Sequence, residues 1–589
     1  MFEKVQQLIN LAEKTFGQLT DAEKKYFEAA VTEQIAKYET NKGKQDTSLR
    51  QQEITLQADR IRWLCTDASA REFVGNFGIR IIGAKIQKTL DLQYDTLDFP
   101  LFLKCCSFDE SIILENARIR SLNLSGSCVP GIRAERISVE GHVFLTNNFQ
   151  ANGKVNFSGA NIGGNLNCLG GNFHVAEKIS PILFKIDREY CAKKNKALIV
   201  QNSRIEGSVF LDKGFKATGE VNLSGTNIGG VLDCQGGEFH NPQGAALKAQ
   251  GVKINQAVLL CSGFHSTGEV DFLNAAIGSE LNCDNGNFIN QAGNALTLQG
   301  ADIKNNVLFR DDFCAEGRVG LADAKVGGTF WMRGIRNSQL MKLDLRAAKI
   351  NVLGDEKASW PDSGQLDIDG FTYEKISHHS TVDLQERLTW LRLQSKDSFS
   401  PQSYEHLARV FKSSGLEEES KGISIAKYND LRCRGHLSWH AKLWNFIFGF
   451  TISYGYRPLR VLLFITLGVI FWGGLYNYGY SKNLMSPSLV RPFDLDLPPI
   501  ETKVSEKYPK FNPYVYSLDV MIPVIDLHQQ RYWLPNANRG DKFIGVDGDN
   551  IRVSHSGCLL RYLFWVQILL GWILTSIGVS GFTLWIRRS

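Results

Sequence analysis

From Ile79 to Phe371 apolar and polar positions alternate in short runs, and the runs recur along the chain. One series reads Val143-Phe-Leu145, Val209-Phe-Leu211, Val258-Leu-Leu260 and Val307-Leu-Phe309, each followed by a phenylalanine: Phe149, Phe215, Phe264 and Phe313. A second series reads Leu166-Asn-Cys168, Leu232-Asp-Cys234, Leu281-Asn-Cys283 and Phe330-Trp-Met332. Each member of it is preceded by a near copy of Ala160-Asn-Ile162-Gly-Gly. Positions 168, 234, 283 and 332 are 66, 49 and 49 apart, and so are positions 145, 211, 260 and 309. Two coil types therefore alternate, a 49-residue unit is two turns of a solenoid, and the longer interval holds one insertion in Glu177–Lys196, expected as a surface loop. Alternation at period two sends one set of side chains inward. Glycine and asparagine, which tolerate positive φ, turn the chain between short strands.

The small-x-large form of Ala160-Asn-Ile162 resembles a pentapeptide repeat with a looser period. That resemblance implies a right-handed quadrilateral β-helix. Roughly ten coils at about 4.8 Å would make a rod on the order of 50 Å long. Exposed strand edges at its two ends call for caps. Helical patterns flank it: Thr20 and Glu23 form a candidate capping box ahead of Phe27, Ala30, Val31 and Ile35, and a short helix carries Ile61, Trp63 and Leu64. A polar linker, Asn41–Gln52, joins them. Beyond the rod, Asp383–Leu393, Tyr404–Phe411 and Ile423–Tyr428 read as a helical hairpin similar to one tetratricopeptide unit, expected to cap the solenoid.

The C-terminal 150 or so residues change character. Val461–Tyr480 and Leu563–Trp585 are uncharged and long enough to cross a hydrocarbon core of about 30 Å. Arg457 and Arg460 precede the first, and Arg587 and Arg588 follow the second, which predicts cytoplasmic termini and a cytoplasmic rod. Leu437–Tyr456 is rich in aromatics, with Trp439 and Trp444 foremost, and predicts a helix lying in the inner headgroup layer. In the intervening loop, Tyr514–Met521 is an apolar helical segment stopped by Pro523, with Asp519 and Asp526 on its polar side and Tyr516 within it. It stands where two-span channels carry a pore helix but lacks the filter TVGYG. Asp519, Asp526 and Tyr516 are the candidate ion-handling residues.

The predicted division is thus a helical cap (1–77), the β-helix (78–375), the hairpin (376–436), the interfacial helix (437–460), a first span (461–480), an external loop (481–562) containing the apolar segment 511–528, and a second span (563–585). The fold class is a β-solenoid with flanking α-helices and a C-terminal two-span helical region.

Composition narrows the function. A net charge of +5 from 66 basic and 61 acidic residues in 589 argues against a nucleic-acid partner, and the near balance of charge in 151–330 does not make an acidic DNA mimic. Cys168, Cys234 and Cys283 stand where neighbouring coils carry leucine and read as core filling rather than a metal ladder. Of the vicinal pair Cys105-Cys106 one side chain is expected inside and one outside. The segment Met1–Lys14 is amphipathic and not a secretory signal. His378-His379 reads as a solvated turn. No GxGxxG, CxxC, CxxCH, GxSxG or P-loop pattern occurs, so no catalytic residue, metal or cofactor is assigned.

Motifs spread over nearly the full length carry a further resemblance: Leu19-Thr-Asp-Ala-Glu23, Ile81-Ile-Gly-Ala-Lys-Ile86, the stretch Gly219–Gly230, Pro401-Gln-Ser-Tyr404, Tyr454-Gly-Tyr-Arg-Pro458, Tyr516-Ser-Leu-Asp519 and Leu570-Gly-Trp-Ile-Leu-Thr575. The chain resembles a bacterial family of pentapeptide-like membrane proteins often labelled membrane-associated oxidoreductases. The expectation from these features is a non-enzymatic inner-membrane protein that displays a cytoplasmic β-helix to a protein partner, with the bilayer and a second copy as further partners. An oligomeric channel-like protein is the alternative, and the oxidoreductase of the family label a third reading.

Overall fold

The computed structural model describes residues 1–38, 54–175, 195–395, 399–488, 508–547 and 550–588. The linker Asn41–Gln52 and almost all of the insertion Glu177–Lys196 lie outside them. The described chain forms two compact units, Met1–Gly415 and Leu416–Ser589. Helices Pro401–Ser413 and Glu417–Arg434, which the sequence suggests as one hairpin, fall on opposite sides of that division.

The first unit is a parallel β-solenoid of about 12 turns. Each coil visits four columns of short strands. Leu101–Lys104 is followed by Ser107–Phe108, Ile112–Ile113 and Arg118–Ile119 before Leu122–Asn123 stacks in register on Leu101–Phe102. Four columns make the cross-section quadrilateral. The uninterrupted succession of coils begins with the strand at Ile79, and its last strand ends at Ile376.

The 49-residue period is two coils, because Val209 pairs with Leu232 and Leu232 with Val258. The second of these is longer because it carries an extra turn. In Glu238–Lys248 the Asn241 amide donates to the Ala245 carbonyl at 2.8 Å, and in Asn287–Thr297 Asn290 does the same to Asn294 at 2.7 Å.

Two ladders fill the interior. Phe149, Phe173, Phe215, Phe239, Phe264, Phe288 and Phe313 stack with ring centroids 5.1 to 5.5 Å apart and no exposure to solvent. Beside them runs an inward column of Leu103, Leu124, Leu145, Cys168, Leu211, Cys234, Leu260, Cys283, Phe309 and Met332, all buried. Backbone geometry at the corners explains the Gly-Gly phrase. A Cβ on Gly229 would lie 2.1 Å from the Glu206 carbonyl oxygen of the preceding coil, and one on Gly163 2.2 Å from that of Glu140. Only glycine permits coils to approach this closely.

Both ends of the solenoid are covered. At the N-terminus α1 (Phe2–Phe16) and α2 (Asp21–Val31) precede α3 (Ala58–Thr66) and α4 (Ala68–Arg71). The predicted capping box forms, with Thr20 and Glu23 exchanging side-chain to backbone bonds of 3.2 and 2.9 Å. Glu23 is buried and also pairs with Arg60. Ala36–Lys37 and Thr55–Gln57 add short parallel strands to the first coil. Ile35 is exposed rather than packed, because α2 stops at Val31. At the other end α5 (Leu384–Leu391), capped by Asp383, and α6 (Pro401–Ser413) close the last coils.

The second unit begins with α7 (Glu417–Arg434) and α8 (Trp439–Ile452). The Tyr454 hydroxyl, 2.9 Å from the side-chain oxygens of both Asn429 and Asn445, and the ring of Tyr454 on Tyr428 hold the two together. Then come α9 (Arg460–Ser481), α10 (Pro513–Met521), α11 (Gln529–Tyr532) and α12 (Ser556–Arg588). Helices α9 and α12 contain the two predicted spans and are long and apolar enough to cross a membrane.

Candidate functional site

The sequence points to two places for chemistry, the thiol ladder and the acidic loop. Cys168 and Cys234 are separated by the coil of Leu211, and Cys234 and Cys283 by that of Leu260, so successive thiols stand two coils, roughly 10 Å, apart. A shared metal needs its ligands within about 2.3 Å of itself. Burial pushes all three thiols well above their ordinary range, so they stay protonated. Among the described residues no group of three His, Cys, Asp or Glu is arranged to hold a metal ion. Cys106 is buried and Cys105 exposed, as alternation requires. His378 and His379 lie in an exposed turn.

The acidic loop is more informative. Helix α10 starts where Asn512 accepts from the Tyr514 and Val515 amides and Pro513 occupies the first turn. It packs between α9 and α12 through glycines. A Cβ on Gly473 would meet the Tyr514 ring at 2.5 Å, one on Gly468 the Met521 methyl at 2.4 Å, and one on Gly571 the Met521 carbonyl oxygen at 2.3 Å. A buried polar relay ties the three helices together. The Tyr476 hydroxyl donates to Gln567 Oε1 at 2.6 Å, while Gln567 Nε2 donates to the Ser517 carbonyl at 2.9 Å and lies 3.1 Å from Ser517 Oγ. Each of these side chains is fully buried. Tyr516 stands edge-on to Tyr476 with its hydroxyl unpartnered among the described residues.

The two carboxylates have separate duties. Asp519 is 5% exposed and accepts from the Leu527 amide at 2.7 Å and the Gln530 amide at 2.8 Å. It therefore closes the loop that follows α10 rather than lying on an open polar side. Asp526 is exposed and pairs with His528 Nδ1 at 2.6 Å and Arg531 at 2.7 Å. The His528 contact, before any other cause, holds its carboxyl below the usual carboxylate range.

Trp439 and Trp444 are exposed on α8, together with Phe446 and Phe450. Arg457, Arg460 and Arg587 are exposed, with Arg460 donating to Ser453 Oγ at 2.9 Å. The side chain of Arg588 lies outside the described ones.

Two features escaped the sequence reading. The Gln567 relay has no motif; its only signal is an amide side chain within an apolar run. The other is an open depression of about 550 Å³ on the first coils, bordered by Phe77, Phe102, Arg120, Glu140 and His142. Comparison with protein-family models, curated proteins and solved structures finds no match to this chain.

Proposed function

We propose that this is an inner-membrane scaffold of the bacterial pentapeptide-like kind, anchored by α9 and α12, which presents the solenoid to a protein partner in the cytoplasm. The observation that carries the reading is the pairing of a solenoid interior filled by hydrophobic ladders with two long apolar helices in the same chain. Such an interior leaves the outer faces as the part open to recognition. The exposed aromatics of α8 and the arginines beside it suit a helix lying in the inner headgroup layer. Cys105, exposed on the solenoid, is a native reporter of orientation. In intact spheroplasts a membrane-impermeant maleimide should leave Cys105 unmodified and should reach it once the membrane is opened. Modification before opening refutes the cytoplasmic placement.

The seating of α10 between two apolar helices favours a second reading, a channel-like element. If Asp519 or Asp526 handled cations, Asp519→Asn and Asp526→Asn would alter flux into liposomes. Since Asp519 serves two backbone amides, flux unchanged by both substitutions removes the reading. The oxidoreductase reading attached to the resembling family requires a chromophore that copurifies in detergent, and a colourless protein rejects it.

A further inference from the structure

From Leu431 to the end of α9 the chain carries no acidic residue, and Arg432, Arg434, Lys442, Arg457 and Arg460 stand within that stretch. On α8, Trp439, Leu443, Phe446 and Phe450 recur at intervals of four, three and four residues, so they share one face of the helix. That face is open, with the four side chains between 50 and 68% exposed. At its end the Phe450 ring meets Phe464 of α9 at 5.0 Å, and Leu463, Leu467 and Phe471 of α9 are exposed beyond it. The apolar stripe of α8 is thus continuous with the exposed side of the first apolar span.

Two cations border this stripe. The Arg432 guanidinium, near the end of α7, lies 5.5 Å from the centre of the Phe446 ring. Lys442 is exposed one turn before Phe446, an interval that makes the two side chains neighbours on the helix surface. Neither cation has a carboxylate partner among the described residues. Glu418 answers Lys421 at 2.8 Å, Asp526 answers His528 and Arg531, and Asp430 is buried. The acidic residues of 489–507 follow the far end of α9, roughly 33 Å along that helix from Arg460. A ligand that joins an anion to apolar chains satisfies both halves of the surface, with its phosphate between Arg432 and Lys442 and its chains along the stripe. A free phosphate would leave the four exposed apolar side chains uncovered. Continuity with the exposed side of α9 favours lipid over an acidic peptide.

We propose that Arg432, Lys442 and the apolar stripe around Phe446 seat the phosphodiester headgroup of an anionic phospholipid, so that the protein selects acidic lipid at this face. The inference rests on the reading of α8 as lying in the headgroup layer, and the test separates the two. In the full-length protein a fluorescent amino acid replaces Leu443 by suppression of a stop codon, and the protein is placed in phosphatidylcholine nanodiscs. Phosphatidylglycerol or phosphatidylcholine carrying a nitroxide near the headgroup is then titrated in. Each basic side chain near an anionic surface contributes about 1 kcal/mol, about fivefold. Nitroxide phosphatidylglycerol should therefore reach half-quenching at a mole fraction at least about fivefold below that of phosphatidylcholine. Arg432→Gln/Lys442→Gln should remove the difference. Lys482→Gln/Arg561→Gln, which takes the same charge from the end of α9 and the start of α12, should keep it. Equal quenching by both lipids in the parent chain overturns the proposal and leaves the placement of α8 standing. A preference that survives Arg432→Gln/Lys442→Gln overturns it, and one lost equally from both double variants does so by reporting net charge alone. A preference abolished by inorganic phosphate at constant ionic strength overturns it in favour of a free anion. Quenching by aqueous iodide with none by either lipid refutes the headgroup placement of α8 itself.

Discussion

The inward column of the solenoid ends in a charge. Met332 of that column stacks in register on Asp355, which is 4% exposed where every earlier coil carries a hydrophobic or thiol side chain. Asp355 receives Arg387 of α5 through two bonds of 2.8 and 2.7 Å, and Trp360 Nε1 donates to it at 2.9 Å. Arg387 is wholly buried and also donates to the Thr381 carbonyl at 2.7 Å. This pair therefore fastens the C-terminal cap to the last coils.

Removing one partner of such a pair leaves a buried charge unanswered, at a cost of about 3–5 kcal/mol. Arg387→Met should accordingly lower amide protection across Leu384–Leu391 by about two to three and a half powers of ten in native-state hydrogen exchange of the full-length protein. The double variant Asp355→Leu/Arg387→Met extends the apolar column by one coil and leaves Trp360 Nε1 and the Thr381 carbonyl without these partners, at about 1–3 kcal/mol each. It should be more protected than Arg387→Met alone. A single variant that loses less than tenfold in protection, or a double variant that loses as much as the sum of the two singles, refutes the argument.

Three further outcomes are expected. Gly229→Ala places a methyl against the Glu206 carbonyl and should break stacking of that coil, whereas Gly320→Ala, with no atom within 4 Å of the new Cβ, should leave the melting profile unchanged; calorimetry of the two variants checks this. Gln567→Leu removes the relay between α9, α10 and α12 at about 0.6–1.7 kcal/mol for each of the two lost bonds, so exchange of the α10 amides in detergent should rise about tenfold to a few hundredfold. His406 Nε2 lies 2.9 Å from both the amide nitrogen and the carbonyl oxygen of Tyr373, and desolvation holds its pKa below the ordinary 6.5. Because the unfolded state then binds the proton more readily, its contribution is full above about pH 6.5 and is lost as pH falls from there toward the folded pKa; protection factors across α6, taken against the intrinsic exchange rate at each pH, should fall on going from pH 7.5 to 5.5, and much less so in His406→Gln.

The parts of this architecture that could be read in advance are those that repeat. Cys168, Leu211, Cys234, Leu260 and Cys283 occupy one inward position in successive coils, so each coil is an independent copy of the same statement, and the alternation of thiol and leucine reveals the two-coil period. The N-terminal coils from Leu101 to Val143 lack that marker and advance by 21 residues. The end of the column carries no such redundancy. Asp355 occurs once, and its partner Arg387 is 32 residues away on a helix of a different period. The loop after α10 was legible as a helix stopped by Pro523, since cap and breaker are local signals. The role of Asp519 was not, because its acceptor geometry depends on the chain turning back to offer the Leu527 and Gln530 amides. An acidic residue in an apolar segment reads from sequence as an ion site, yet the same carboxylate answers two amides that would otherwise be stranded. In this chain local pattern reveals the scaffold, and the charges that close its ends and its loop are read only from tertiary contacts.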